Sequence, residues 1–326
     1  MRVYLDRNDR LSASSYMTNL EKALRSSVPE VTVVETPTRA DVLHLNNLNV
    51  WGRVVNGKES RGKHFGHWLR GLAGNTPLVV TAHGDVHFTP AQRLVRDREV
   101  VSRFVRLSQR LLSRYVDGII TASRSVERNL ARYGIGGGKT FVVPHGVEDR
   151  YRRGSDSSGQ YLLHVSHYSH RKNPGAVFEV AEALDEQIVI TGAGWEENAP
   201  EQLRDDDTVL FPGYVSEDRL IELYNDASVF YFPTLHEGFG LPVLEAMQAG
   251  LAVVTSDVYA VPEVVDDAAV LYAPNDTTAH RRAIEELLGD DDLRREYERK
   301  AANRAEEFSW TRTATETAAV YRTVVE

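Results

Sequence analysis

Short apolar runs alternate with longer stretches of helical periodicity along the whole chain, which is the pattern of an α/β protein. In the first half the pattern predicts strands at Arg2–Asp6, Val31–Glu35, Val42–Leu45, Leu78–Ala82, Gly118–Thr121 and Phe141–Val143. Each is short and mostly apolar, as parallel strands covered on both faces should be. Helical spacing falls between them at Ser15–Arg25, over about 91–115 and at Ser123–Tyr133, where Ser123 suits an N-cap.

The stretch 149–160 interrupts this alternation. It is polar and holds Gly154, Ser155, Asp156, Ser157, Ser158 and Gly159, the composition of a flexible connection. A domain boundary is expected there, with one domain over 1–156 and a second over 157–310. The alternation then restarts with strands at Tyr161–Val165, Ile188–Thr191, Val209–Phe211, Val229–Phe232 and Ala252–Thr255. Helices are expected from Pro174 and from about Leu241, and two more, Asp291–Glu307 and Thr311–Val325, finish the chain. The fold class is therefore α/β, with two Rossmann-like, doubly wound parallel sheets. A length of 326 residues suits two domains that each bury a core.

Composition removes several chemistries. No cysteine is present, which excludes disulfides, thiol nucleophiles and cysteine-ligated zinc. No apolar run approaches the roughly 18 to 20 residues that span a bilayer. The opening Arg2-Val3-Tyr4-Leu5-Asp6 reads as a strand and not as a secretory leader, so a cytoplasmic location is expected. The net charge of -9 hides an asymmetry: residues 1–156 carry 25 Lys+Arg against 15 Asp+Glu, and the remainder 13 against 32. The basic first half suits a phosphate-bearing partner or an anionic surface, or else a solvated arginine-rich helix.

Ligands of open parallel sheets bind beyond the carboxyl ends of the strands, which directs attention to the loops there. The loop after Val229–Phe232 reads Pro233-Thr-Leu-His-Glu237-Gly-Phe-Gly-Leu-Pro242-Val-Leu-Glu245. Pro242 fits the first turn of a helix, and Gly238 and Gly240 allow close backbone approach, so the N–H groups of the helix start can seat a diphosphate. Glu237 at the rim and Glu245 one turn inside each suit a pair of vicinal hydroxyls, one on a sugar and one on a ribose. After Tyr161–Val165 comes Ser166-His-Tyr-Ser-His-Arg171-Lys172-Asn173-Pro174. Asn173 and Pro174 read as an N-cap and first-turn pair, with Arg171 and Lys172 just ahead of them to meet a departing diphosphate.

With these residues the chain resembles glycosyltransferase family 4, the retaining enzymes of the GT-B fold. Two glutamates eight apart around Gly-Phe-Gly-Leu-Pro match that family's signature. Agreement continues through Thr121-Ala-Ser123, Val143-Pro-His-Gly-Val147, Thr191-Gly-Ala-Gly194, Phe211-Pro-Gly-Tyr-Val215, Thr255-Ser-Asp257 and Val261-Pro-Glu263. The resemblance implies a donor held mainly by the second domain, with Glu245 on the ribose and Glu237 at the transferred sugar. It also implies that Gly238, Phe239, Gly240 and Leu241 face sugar and phosphate, that Gly192, Tyr214 and Val215 complete the donor site, and that Lys172 and Arg171 act on the leaving group. His83, in Ala82-His83-Gly84-Asp85, takes the place of the family's histidine that contacts the donor sugar. Its alternative role is to order the strand end. The closing helix would cross back to complete the first domain.

Two positions depart from the family. Ser166-His167 stands where Gly-Arg is usual, which shifts the diphosphate clamp to Lys172 with Arg171 beside it. Ser12-Ala13-Ser14-Ser15 stands where the family's first loop is glycine-rich. The implied reaction moves a hexose from a nucleotide diphosphate sugar with retention, without metal or other cofactor, and with Glu237 not acting as a covalent nucleophile. Family mannosyltransferases share Pro144-His145-Gly146-Val147 and Arg171-Lys172-Asn173, which tilts the donor toward GDP-mannose over UDP-glucose. A GT-B sugar 2-epimerase and a noncatalytic sugar-nucleotide-binding relative are the competing readings. The triplets Asp205–Asp207 and Asp290–Asp292 are expected to cap and turn the chain, not to hold metal. For the acceptor, the segment 92–115 sets seven arginines around an apolar stripe, and 51–70 adds Lys58, Arg61, Lys63, Phe65 and Trp68. The mixture suits peripheral contact with an anionic membrane and a lipid-linked, glycan or phosphorylated acceptor, against an ordinary core-facing helix. Nucleic acid is not expected.

Overall fold

A computed structural model describes residues 1–6, 13–46, 76–84, 106–152, 159 and 161–326, the side chains of 13–15 excepted. The chain divides into two compact units, Met1–Gly146 with Trp310–Glu326, and Val147–Ser309. Each is built on a six-stranded, wholly parallel sheet.

In the first unit the strands are β1 (Arg2–Leu5), β2 (Thr32–Val34), β3 (Val42–Leu45), β4 (Leu78–Ala82), β5 (Gly118–Thr121) and β6 (Thr140–Val142), in the order β2-β1-β3-β4-β5-β6. Every residue of β3, β4 and β5 is buried, as their mostly apolar character requires. Helix Ala13–Ser27 covers the sheet with Tyr16, Met17, Leu20 and Leu24. The closing helix Trp310–Val325 packs beside it and adds Ala314, Ala318 and Tyr321 to the same core. Ser123 caps Arg124–Arg132, its hydroxyl accepting from the Val126 N–H. Of the long basic helix expected over 91–115, residues 106–112 are helical and 91–105 lie outside the described residues, as do 51–70.

The second unit holds β7 (Leu162–Val165), β8 (Ile188–Thr191), β9 (Val209–Gly213), β10 (Val229–Phe232), β11 (Ala252–Ser256) and β12 (Val270–Tyr272), in the order β12-β11-β10-β7-β8-β9. The chain winds outward from β7 to β9, returns to lay β10 on the other side of β7, and winds outward again. The strand order therefore reverses between β7 and β10, which is where an open sheet leaves a crevice for a ligand. The core there joins Leu162, Ile190, Val229, Tyr231 and Val254 to Trp195, Val177 and Ile284.

Local expectations need correcting at two places. The second unit begins at Val147 and not at residue 157, inside the polar stretch. The Val147 N–H donates to the Phe308 carbonyl at 3.0 Å, and Tyr151 stands edge-on to Tyr224, so the chain joins that unit before Gly154. Asn173 does not cap the helix Pro174–Ala183: it takes a left-handed conformation, φ 55°, and its side-chain amide donates instead to the Pro274 carbonyl at 2.7 Å. Asp290 behaves as expected and accepts from the N–H groups of Asp292 and Leu293 at the start of Asp291–Ala305.

Candidate functional site

The loops after β7 and β10 meet at the reversal of strand order. Leu235 N–H and the Thr234 hydroxyl both donate to the Arg171 carbonyl, at 2.8 and 3.0 Å, and the Arg171 guanidinium donates to the His236 carbonyl at 3.0 Å. This stitching brings three predicted residues together. Glu237 Oε1 accepts from the Lys172 ammonium, lies 2.8 Å from Arg171 Nη1, and lies 3.3 Å from Thr234 Oγ1. Glu237 and Lys172 are each only 7% exposed, and Lys172 lies over the Phe232 ring at 4.5 Å.

Burial alone would raise the Glu237 carboxyl, but Lys172 and Arg171 outweigh it and hold the group below its ordinary value. Burial lowers the Lys172 ammonium, against the pull of Glu237. The carboxylate thus stands ionised beneath two cations. Arg171, about a third exposed, keeps an open side toward solvent.

Helix Leu241–Gln248 starts beside this cluster with Pro242 in its first turn. Its N-cap, Gly240, has φ 99° and no side chain to satisfy the first N–H groups. A Cβ there would meet nothing closer than 3.9 Å, so the backbone conformation and not crowding calls for glycine. The uncapped start and the helix dipole favour an anion. Gly238 is buried, Phe239 packs edge-on to Phe308 at 5.9 Å, and Leu241 is half-buried. Phe239 therefore anchors the loop with its ring.

Glu245, one turn into the helix, is half-buried. Its Oε2 accepts from the Tyr224 hydroxyl at 3.0 Å. Burial pushes the carboxyl up to about 7, with Tyr224 pulling it the other way. Two glutamates of one motif thus sit in opposite electrostatic settings. Thr234 and Tyr224 were not singled out from sequence. Thr234 lay inside the motif, whereas Tyr224 carried no signal beyond helical spacing from a neighbouring segment.

Gly192, Tyr214 and Val215 gather at the ends of β8 and β9. Gly192 has φ 124°, and a Cβ on it would lie 1.9 Å from the Ser166 carbonyl oxygen, so it permits the close crossing of two loops. Its N–H donates to the Gly213 carbonyl at 2.8 Å. Tyr214 is 78% exposed and stacks on His167 at 6.0 Å, while Val215 is half-buried. Ser166, at the first departure from the family, turns inward to His164 Nε2 at 2.8 Å and so offers no clamp for an anion. The second departure cannot be placed, because Ser12 and the side chains of 13–15 lie outside the described residues.

His83 belongs to the first unit. It ends β4, bonds Asn46 Oδ1 through Nε2 at 2.7 Å, and stands edge-on to Tyr16 at 4.9 Å. Burial lowers it to about 4, so the ring is neutral near pH 7. His145 lies 5.6 Å from it and stacks on Trp310. Among the described residues no group of acidic or histidine side chains could hold a metal ion, and no helix is long and apolar enough to cross a membrane.

Comparison with known proteins bears on this geometry. Residues 148–304 match the family described as Glycosyl transferases group 1, and residues 39–151 match Glycosyltransferase Family 4. The O-antigen chain mannosyltransferase B of Escherichia coli is 34% identical over 173 residues, covering 50% of this chain and 45% of that protein. The chain therefore aligns with about half the length of that relative. A D-inositol 3-phosphate glycosyltransferase of Acidothermus cellulolyticus is 30% identical over 310 residues, with coverage of 79% and 66%. Among solved structures, Anabaena HepE in complex with UDP-glucose superposes with a TM-score of 0.74 at 15% identity, covering 98% of both chains. Two parallel-sheet units of the GT-B type and family matches running from residue 39 to 304 agree: the chain belongs to glycosyltransferase family 4.

Proposed function

We propose that the chain moves a hexose, preferentially mannose, from a nucleoside diphosphate sugar to a glycan or lipid-linked acceptor, with retention at the anomeric carbon. The observation that carries this reading is the convergence of Glu237, Lys172 and Arg171 on an uncapped helix start. Departure of the diphosphate leaves positive charge on the anomeric carbon and negative charge on the leaving oxygen. Fixed cations near that oxygen lower the barrier without solvent reorganisation. Lys172 has three donors and gives one to Glu237, so the pair can hold a sugar hydroxyl on the carboxylate and phosphate oxygens on the cations. In this reading the acceptor attacks on the leaving-group face and the diphosphate itself takes the proton.

Glu237 is assigned to the sugar and not to a covalent intermediate, since Lys172 and Arg171 already engage its Oε1 and blunt its nucleophilicity. Glu245 is assigned to the ribose. The preference for mannose rests on the E. coli mannosyltransferase relative and on the shared Pro144-His145-Gly146-Val147. The test is sugar transfer from GDP-mannose and UDP-glucose to a panel of glycan and lipid-linked acceptors. Glu237→Ala is expected to lower turnover at least about a hundredfold, the range for losing a fixed transition-state contact. Unchanged turnover in a folded variant would sink the assignment.

A lipid-linked acceptor presented at an anionic membrane is the favoured form. Along 106–115, Leu107, Leu111 and Tyr115 recur at one-turn spacing and are exposed, with Arg110 and Arg114 beside them. Apolar side chains flanked by cations suit the headgroup boundary. Co-sedimentation with phosphatidylglycerol vesicles should be strong at low salt and weaken in Leu107→Glu/Leu111→Glu. Equal recovery with neutral vesicles would count against it.

A further inference from the structure

Glu245 takes its side-chain hydrogen bond from a partner outside both site loops. That partner, Tyr224, lies on the helix Glu217–Asp226, is completely buried, and is wedged between Tyr151 at 5.7 Å and Phe230 at 5.7 Å. Its hydroxyl lies 3.0 Å from Glu245 Oε2 and 3.4 Å from the Pro242 carbonyl oxygen, one turn before Glu245 on the same helix. A tyrosine packed on both sides has no freedom to follow a moving carboxylate, so it dictates where that carboxylate sits.

We propose that Tyr224 is a positioning residue, whose hydroxyl occupies one oxygen of Glu245 and leaves the rest of the carboxylate aimed to receive the two ribose hydroxyls of the donor. The inference rests on the assignment of Glu245 to the ribose. A carboxylate offers about four lone-pair sites, so one bond from Tyr224 leaves enough for a vicinal diol. The same bond favours the ionised form, because a phenol donates to a carboxylate better than to a carboxylic acid. A ribose diol also needs that ionised form, so donor affinity depends on the proton at Glu245.

The surroundings make this proton count. Three charged or titratable groups face Glu245 from the turn Glu148–Tyr151: Glu148, Arg150 and Tyr151. Glu217 and Tyr224 face it from the neighbouring helix, and Lys172 acts on it from the loop after β7. Arg150 bridges Glu148 and Glu217 and so spends its charge on them. Burial therefore prevails, and Glu245 titrates at about 7. Affinity for the donor falls as pH drops through that value, and losing the Tyr224 bond moves the midpoint upward.

The test is calorimetric binding of GDP-mannose and UDP-glucose to the full chain between about pH 5.5 and 8.5, an interval in which their diphosphate diesters carry no titrating phosphate. Wild type should weaken toward acid with a midpoint near neutrality. Tyr224→Phe, which keeps the packing, should bind about tenfold more weakly at the alkaline end and shift the midpoint upward. Glu245→Gln should bind weakly and without pH dependence. Wild-type affinity and midpoint in Tyr224→Phe overturn the positioning role. Wild-type affinity in Glu245→Gln overturns the ribose assignment itself, so the two failures are distinct. If Tyr224→Phe folds poorly, Glu245→Asp withdraws the carboxylate from the hydroxyl, and an unmoved midpoint there overturns the positioning role equally.

Discussion

At the scale of single residues the two motif glutamates differ in what their charge does for the folded state. Glu237 and Lys172 form a buried pair, and removing one partner strands the other in a low-dielectric site. Glu237→Gln should therefore lose about 3 kcal/mol, and adding Lys172→Met should recover most of it, a cycle measurable by urea denaturation. Glu245 behaves oppositely. Its carboxyl rises from 4.5 to about 7 on folding, so it binds a proton more readily folded than unfolded. The stability it lends is fully present below 4.5 and is lost as pH rises through about 7. Glu245→Gln should accordingly stabilise the protein at about pH 8 by up to about 2 kcal/mol, less than the full shift because the group keeps some contact with water, and change little near pH 4. Thermal melts at the two pH values check the sign. A candidate-site residue that costs stability fits a common compromise between folding and function.

At the scale of elements, the backbone around the site tolerates little. Gly192→Ala would drive a methyl into the Ser166 carbonyl and separate the loops after β7 and β8. The variant should lose at least about 2 kcal/mol and nucleotide-sugar binding together, read by melting and calorimetry. Ser123→Ala, in the first unit, should cost about 1 kcal/mol through its lost cap and leave the fold of the second unit unchanged. The same elements show what could be read from sequence. Strands β3, β4, β5, β8 and β10 match their apolar runs residue for residue, because buried parallel strands are set by local composition. Helix Glu217–Asp226 was passed over although Ser216 caps it, and Thr277–Gly289 although His280, Ala283, Ile284 and Leu287 repeat at helical spacing. Strand β12 is short, half-exposed and at an edge, so it carries too little pattern to see. Asn173 was misjudged because its partner, the Pro274 carbonyl, lies 101 positions away. The Glu237–Lys172 pairing spans 65 positions. The sequence places both residues in one candidate site, but only the crossing of two loops shows that they bind each other.

At the scale of the whole molecule, the second unit is one uninterrupted segment, Val147–Ser309, while the first is made of both ends of the chain. The two ends of that segment lie side by side, with Val147 bridged to Ser309 and its N–H on the Phe308 carbonyl. It has its own sheet and core, and the Glu237, Lys172 and Glu245 side chains all reside in it. Residues 147–309 expressed alone should fold cooperatively and retain measurable affinity for a nucleotide sugar, testable by denaturation and calorimetry. A segment whose entry and exit are already adjacent can be lifted out or replaced without re-routing its host. Evolution is thus free to treat it as an interchangeable cassette, joined to many different hosts.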